Sequence, residues 1–300
     1  MNEHALSCLR KAGSVAGQAR DFGIGLVKEG ASYLDVALEI EGFILRSGAK
    51  PAFPVNIGVN DIAAHYTPNY GDTGRFARGD VVKIDVGAHV DGYIGDTAAT
   101  VEVGTRNWSS LIEASEQALR IAVEVVGDGV PVNLVGGTIE RSIKEAGFRP
   151  VVNLTGHGMN QYNLHAGLTV PNIDDGVAFR MKDGMVVAIE PFATNGGGQV
   201  ENTSPGNIYR VLRDRSLRDK KALALFEGIR RSFGTLPFCE RWCVDLDHDA
   251  PSLLRTLLRH GLISSYSQLR EVRNGVVSQA EHTVIIAGVK CEVTTHSSSF

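Results

Sequence analysis

The chain has 300 residues, 43% of them hydrophobic and 21% charged, enough for one large α/β domain or two small ones. A formal net charge of −4 gives no bulk attraction to nucleic acid or to an anionic membrane. No apolar run approaches the roughly 20 residues that span a bilayer, and the opening MNEHALSCLRKAG has no signal-peptide pattern. Cys8, Cys239, Cys243 and Cys291 are too few and too scattered for a disulfide framework, so a reducing cytoplasm is expected. Cys239 and Cys243 lack a second Cys or His pair to complete a metal clip, and read as structural thiols.

In chain order, the first fifty residues predict two helices. Ala5, Leu6, Leu9, Ala12, Val15 and Ala16 recur near helical spacing, as do Val36, Ala37, Ile40, Phe43 and Ile44. Gly48 and Pro51 end the second helix. Strands are expected at 81–90 and 92–103, from VVKIDVGAHV and GYIGDTAATVEV. Ser110 and Glu113 form a capping-box pattern before LIEASEQALRIAVEVV, a long helix stopped by Gly127. Another amphipathic helix, near 135–146, ends at Gly147, and strand-like VVNL and MVVAIEPF follow. The order helix, helix, strand, strand thus occurs twice, which suggests an internal duplication with a site between the halves. Residues 209–272 read as a helical insertion. YRVLRDRSLRDKKALALFEGIRRSFG carries Arg210, Arg213, Arg215, Arg218, Lys220, Lys221, Arg230 and Arg231, interleaved with Asp214, Asp219 and Glu227. That mixture predicts a solvated helix face. PSLLRTLLRHGLI adds a helix from Pro251 to Gly261, and strand-like EHTVIIA and KCEVTT follow.

Five residues stand out because acidic side chains in or beside strand-like runs have no packing reason to be there. Asp91-Gly92 is a strong signal for a two-residue hairpin turn. Facing positions in such a hairpin sum to an odd number, as Asp85 and Asp96 do, so the two share a face and are diagonal neighbours within reach of one ion. Glu190 ends the apolar MVVAIE and Glu281 precedes HTVII; a carboxylate buried there needs a cation or a hydrogen-bond network. His157, between Gly156 and Gly158, is the candidate imidazole, with His165 and His65 as further candidates. Oxygen ligands with one imidazole suit a first-row divalent ion better than a thiolate-type structural zinc. Four carboxylates carry four negative charges, which two divalent ions neutralise and one leaves half compensated, and paired ions run hydrolytic chemistry.

The stretches PAFPVNIGVNDIAAHYTP, KIDVGAHVDGYIGDTA, TGHGMNQYNLHAGLTVPN, VVAIEPFAT, LPFCERW and QAEHTVII resemble those of type 2 methionine aminopeptidases, in the shorter, archaeal form of the "pita-bread" metallohydrolases. The resemblance implies an α+β fold in which a pseudo-twofold duplicated antiparallel sheet is covered by helices. It implies one catalytic domain over 1–300, with 209–272 as a helical, winged-helix-like insertion. It further implies two divalent ions (Co, Mn, Fe, Zn or Ni) held by Asp85, Asp96, His157, Glu190 and Glu281. By the same resemblance His65 and His165 act on the substrate near the scissile bond, Glu190 also moves the proton, and Phe53 walls the methionine pocket. Ile208 stands where many eukaryotic members have a pocket histidine. The implied reaction removes an N-terminal initiator methionine from nascent proteins and peptides when the second residue is small, through a hydroxide bridging the two metals. The implied chain is a cytoplasmic monomer that works on peptide or nascent-chain N-termini, with possible ribosome proximity, no membrane and no specific nucleic acid. Two alternatives are an Xaa-Pro dipeptidase of the same superfamily, which usually carries a separate N-terminal domain, and a non-catalytic relative that binds RNA or ribosomes, which would lack metal ligands.

Overall fold

The computed structural model describes residues 1–214 and 216–296. Helix α1 (Glu3–Leu26) starts on Asn2, whose side-chain oxygen accepts from the Ala5 N–H at 2.8 Å. Helix α2 (Tyr33–Arg46) starts in the same way on Ser32, which accepts from Asp35 N–H. Such caps satisfy amides that the first helical turn leaves without partners. Short strands β1 (Lys50–Pro51), β2 (Asn56–Val59) and β3 (Ile62–Ala64) precede the long hairpin β4 (Val81–Val90) and β5 (Tyr93–Glu102). Asp91 and Gly92 turn the hairpin with φ of 51° and 79° between the paired Val90 and Tyr93, the positive values that an Asp-Gly type I′ turn needs. β4 also pairs antiparallel with β1 and β2.

The second half repeats the order. Helices α3 (Ser109–Val125) and α4 (Val132–Glu145) lead to β6 (Arg149–Pro150), β7 (Thr155–Met159), β8 (Thr169–Pro171), β9 (Val186–Ile189) and β10 (Phe192–Thr194). The capping box expected at Ser110 is not formed. The helix already begins at Ser109, with no side-chain cap. The Glu102 carboxylate instead accepts from Asn107 and Trp108 N–H and holds the approach to the helix. The strand expected over VVNL does not form: Val151 to Leu154 link the short β6, which ends at Pro150, to β7, which begins at Thr155.

Then come β11 (Val200–Val211), α5 (Lys220–Phe233), β12 (Phe238–Cys239), α6 (Glu240–Val244), α7 (Ala250–Arg259), β13 (Ile263–Glu271), β14 (Val277–Gln279), β15 (His282–Ala287) and β16 (Lys290–Val293). The helix expected from Tyr209 begins only at Lys220. Tyr209, Arg210 and Val211 are strand, paired with Ser265, Ser264 and Ile263 of β13. Residues 209–272 are therefore helical only between two strands. Among the basic residues, Arg230 pairs with Asp214, Lys221 pairs with Asp247 and Asp249, and Asp219 caps α5. Arg215 lies outside the described residues.

β15 pairs with β16 and β9, and β9 with β7, to form the second half's sheet. Each half has its own core. One lies between α1, α2 and β4, with Ala16, Ile40, Ile44, Ile57 and Ile84 fully buried. The other lies between α3, α4, β9 and β15, with Leu111, Ala118, Val135, Ile143, Val187 and Val284 fully buried. The halves are stitched where β5 meets the chain around β14 and β15. Glu281 N–H donates to Ala98 O at 3.0 Å, Asp96 N–H to Thr283 Oγ1 at 2.8 Å, and Thr100 Oγ1 to Gln279 O at 2.7 Å.

Candidate metal centre

All nine residues singled out in the sequence line one cavity of about 410 Å³ at this seam: Phe53, His65, Asp85, Asp96, His157, His165, Glu190, Ile208 and Glu281. The hairpin ladder pairs Asp85 with Ala98 and Gly87 with Asp96, so the aspartates are diagonal neighbours on one face, as the parity of their numbers requires. His157 comes from the middle of β7. Glu190 occupies the break between β9 and β10, and Glu281 the break between β14 and β15. Four separate segments thus deliver one group each, or two in the case of the hairpin.

Asp96, His157 and Glu281 are buried, and each offers an atom within 4.8 Å of the other two. His157 Nε2 lies 3.5 Å from Asp96 Oδ2 and 3.7 Å from Glu190 Oε1. Gln279 Nε2 reaches toward Glu190 Oε2 at 3.5 Å and Glu281 Oε2 at 3.4 Å, bridging two carboxylates at the edge of hydrogen-bond range. On the far side of Glu281, Arg20 Nη1 donates to Thr97 Oγ1, which donates to the Glu281 carbonyl, both at 2.7 Å.

The electrostatics call for positive charge. Burial pushes Asp85 up to about 7. Burial first, then the charge of Asp85, pushes Asp96 well above the carboxylate range. Glu190 and Glu281 are driven up by burial and by Asp96 and Asp85, and Glu281 also by Glu190. Burial, with His165 nearby, lowers His157 to about 3, so the imidazole is neutral and its lone pair is free to ligate. Among the described residues Asp85 Oδ1, Asp96 Oδ1 and His157 Nδ1 are buried polar atoms with no hydrogen-bond partner. Orphaned acceptors, like charges crowded together and a neutral imidazole are the donor set a divalent cation satisfies. The residues fit such an ion.

Around this cluster the cavity differs from side to side. Phe53, Leu164 and Ile208 are buried and form an apolar wall with Pro237. Elsewhere His65, His165 and Tyr266 crowd together, with ring centroids 5.2 Å apart for His65 and Tyr266 and 6.2 Å for His165 and Tyr266. His65 has φ of 64°, an uncommon value for a residue with a side chain. Its Nδ1 lies 3.1 Å from Ser267 O. A carbonyl only accepts, so the neutral ring carries its proton on Nδ1 and leaves Nε2 as an acceptor. Burial lowers His65, and enclosure by the cavity walls, with His65 and Arg210 nearby, lowers His165 to about 4. Both rings are uncharged at neutral pH. Sequence reasoning missed Gln279, Arg20 and Tyr266. Strand alternation could have found Gln279, two residues before Glu281. Tyr266 carries no local signal, because β13 brings it from the far side of the insertion.

The model of metallopeptidase family M24 matches residues 7–221. A methionine aminopeptidase of Pyrococcus abyssi is 45% identical over 96% of this chain and 98% of its own length. Among solved structures, a methionine aminopeptidase from Thermotoga maritima superposes with a TM-score of 0.74 at 20% identity, covering 99% of this chain and 98% of its own. A thermophilic Arx1 superposes with a TM-score of 0.87 at 15% identity, covering 100% and 93%. At those identities the structures speak for the fold alone, an α+β pita-bread arrangement. The chain belongs to metallopeptidase family M24, among the archaeal-type methionine aminopeptidases.

Proposed function

We propose that the chain is a dinuclear metal-dependent aminopeptidase that removes an N-terminal methionine when the second residue is small. One observation carries this reading: four carboxylates and a neutral imidazole end in one cavity, beside an apolar wall of side-chain size. Asp85, Asp96, His157, Glu190 and Glu281 would hold the ions, and the charge of four carboxylates matches two of them. Divalent ions bound there supply Lewis acidity, lowering the pKa of water toward neutrality and polarising a carbonyl. The chain's own residues do the rest. Phe53, Leu164 and Ile208 receive the methionine side chain, whose flexible thioether adapts to such walls. His65 accepts a hydrogen bond from the substrate amine at Nε2, and His165, also neutral, donates to the developing oxyanion. Glu190, set against His157, takes the proton from the attacking water and returns it to the leaving amine.

The insertion, residues 209–272, belongs to the same catalytic domain, because the chain returns along β13 to deliver Glu281. Four free thiols fit a reducing, cytoplasmic setting, and no helix among the described residues is long and apolar enough to cross a membrane. We read the chain as a monomer acting on nascent-chain N-termini. The decisive experiment compares kcat/KM on Met-Gly-type and Xaa-Pro peptides, with metal content measured on the same preparation. Turnover of Xaa-Pro but not Met-Gly peptides would move the chain to the dipeptidase reading. Metal content near one per chain at full activity would remove the second ion.

A further inference from the structure

Outside the metal cluster, one buried carboxylate joins three segments. Glu41 of α2 is 5% exposed. Its Oε1 accepts from Arg241 Nη2 at 2.6 Å and from Val55 N–H at 3.3 Å, and its Oε2 accepts from Trp242 Nε1 at 2.9 Å. Arg241 is 1% exposed and also donates through Nη1 to Cys239 Sγ at 3.1 Å.

What these groups connect is the apolar wall of the cavity. Val55 stands two residues after Phe53. Cys239 pairs with Ile208 in the ladder, and Pro237 just before it lines the cavity. Leu236 belongs to the same buried cluster as Phe53 and Leu164. Glu41 therefore ties the segment carrying Phe53 to the segments carrying Ile208 and Pro237. A buried ion pair adds little stability over apolar packing of the same volume, because desolvation offsets its attraction. Short, charge-assisted hydrogen bonds do fix direction and distance.

We infer that the Glu41–Arg241–Trp242 latch sets the separation of Phe53 from Ile208 and Pro237, and so the length of side chain the pocket admits. This rests on the reading of that pocket as the methionine site. Glu41→Gln and Trp242→Phe each remove part of the latch; the second is the milder change and serves if the first fails to fold. Glu102→Gln, which loosens the approach to α3 far from the pocket, controls for general destabilisation. The assay uses a Met-Gly peptide and its ethionine analogue, one methylene longer, with thermal melts on every variant. Wild type should favour methionine. Latch variants should lose that discrimination by about 10-fold, since one methylene in an apolar pocket is worth roughly 10–200-fold, with KM for methionine raised and kcat within about 3-fold. Folded latch variants that keep wild-type discrimination, or a Glu102→Gln variant that loses it equally, would overturn the latch. A wild type inert on both peptides would instead overturn the methionine reading itself.

Discussion

Glu190 and His157 show most directly what single residues do here. Replacing Glu190 by Gln keeps its shape but removes charge from the cluster, and His157→Ala removes its only imidazole donor. Both variants should fold and lose at least about 10²-fold in kcat, the scale of losing a group that acts in the transition state. Near-wild-type turnover with metal content verified would contradict the site. Glu271 is a residue of another kind. Burial alone would raise its carboxyl, but the N–H groups of Gly275, Arg273, Gly197 and Gly198 hold it below the ordinary glutamate value. A group whose folded pKa is depressed contributes stability above its unfolded pKa and loses it as pH falls through the folded one. Glu271→Gln should therefore destabilise the protein at pH 7 by about 2 kcal/mol, from weakened hydrogen bonds to a charged acceptor. Melts repeated at lower pH should show the gap to wild type closing below about pH 4.

At the scale of elements, α1 lies directly on β5. A Cβ placed on Gly95 would collide with the backbone of Ala12 and Gly13. Gly95→Ala should therefore cost about 1–3 kcal/mol, as overpacking does, read as a lowered urea midpoint with unchanged slope. The same scale explains what was legible in the sequence. The β4–β5 hairpin was legible because a two-residue Asp-Gly turn fixes register, and register fixes which side chains share a face. Tyr209 to Val211 misled because apolar residues among arginines look helical, while the strand partner lies more than fifty residues away. Local propensity yields to such tertiary pairing. Ser110 and Glu113 matched a capping pattern, but the helix already starts at Ser109, and Glu102 binds only the amides of Asn107 and Trp108 just ahead of it.

For the molecule as a whole, the cavity lies where the two halves meet, and its proposed metal ligands come from both. Excess chelator should abolish activity and lower the melting temperature, and an added divalent ion should restore both. An ion at roughly 1,000 times its Kd would stabilise the folded state by about 4 kcal/mol. Full activity in chelator would count against metal chemistry. The residues that gather in the cavity were legible because an acid in an apolar strand is locally anomalous. Gln279, Arg20 and Tyr266 were not, because their meaning lies in contacts across the seam.

That seam also sets a timetable. Gly13 and Gly17 of α1 rest against Thr294 and Thr295, and Glu281 reaches the cavity from the last part of the fold. During its own synthesis the chain exposes Asp85, Asp96, His157 and Glu190 in turn, yet the ring of carboxylates stays open until translation has passed residue 281. Closure then depends on pairing segments far apart in the chain, which is the slow kind of folding. A chain that stops short of Glu281 therefore lacks a member of the proposed ligand set and should be inactive.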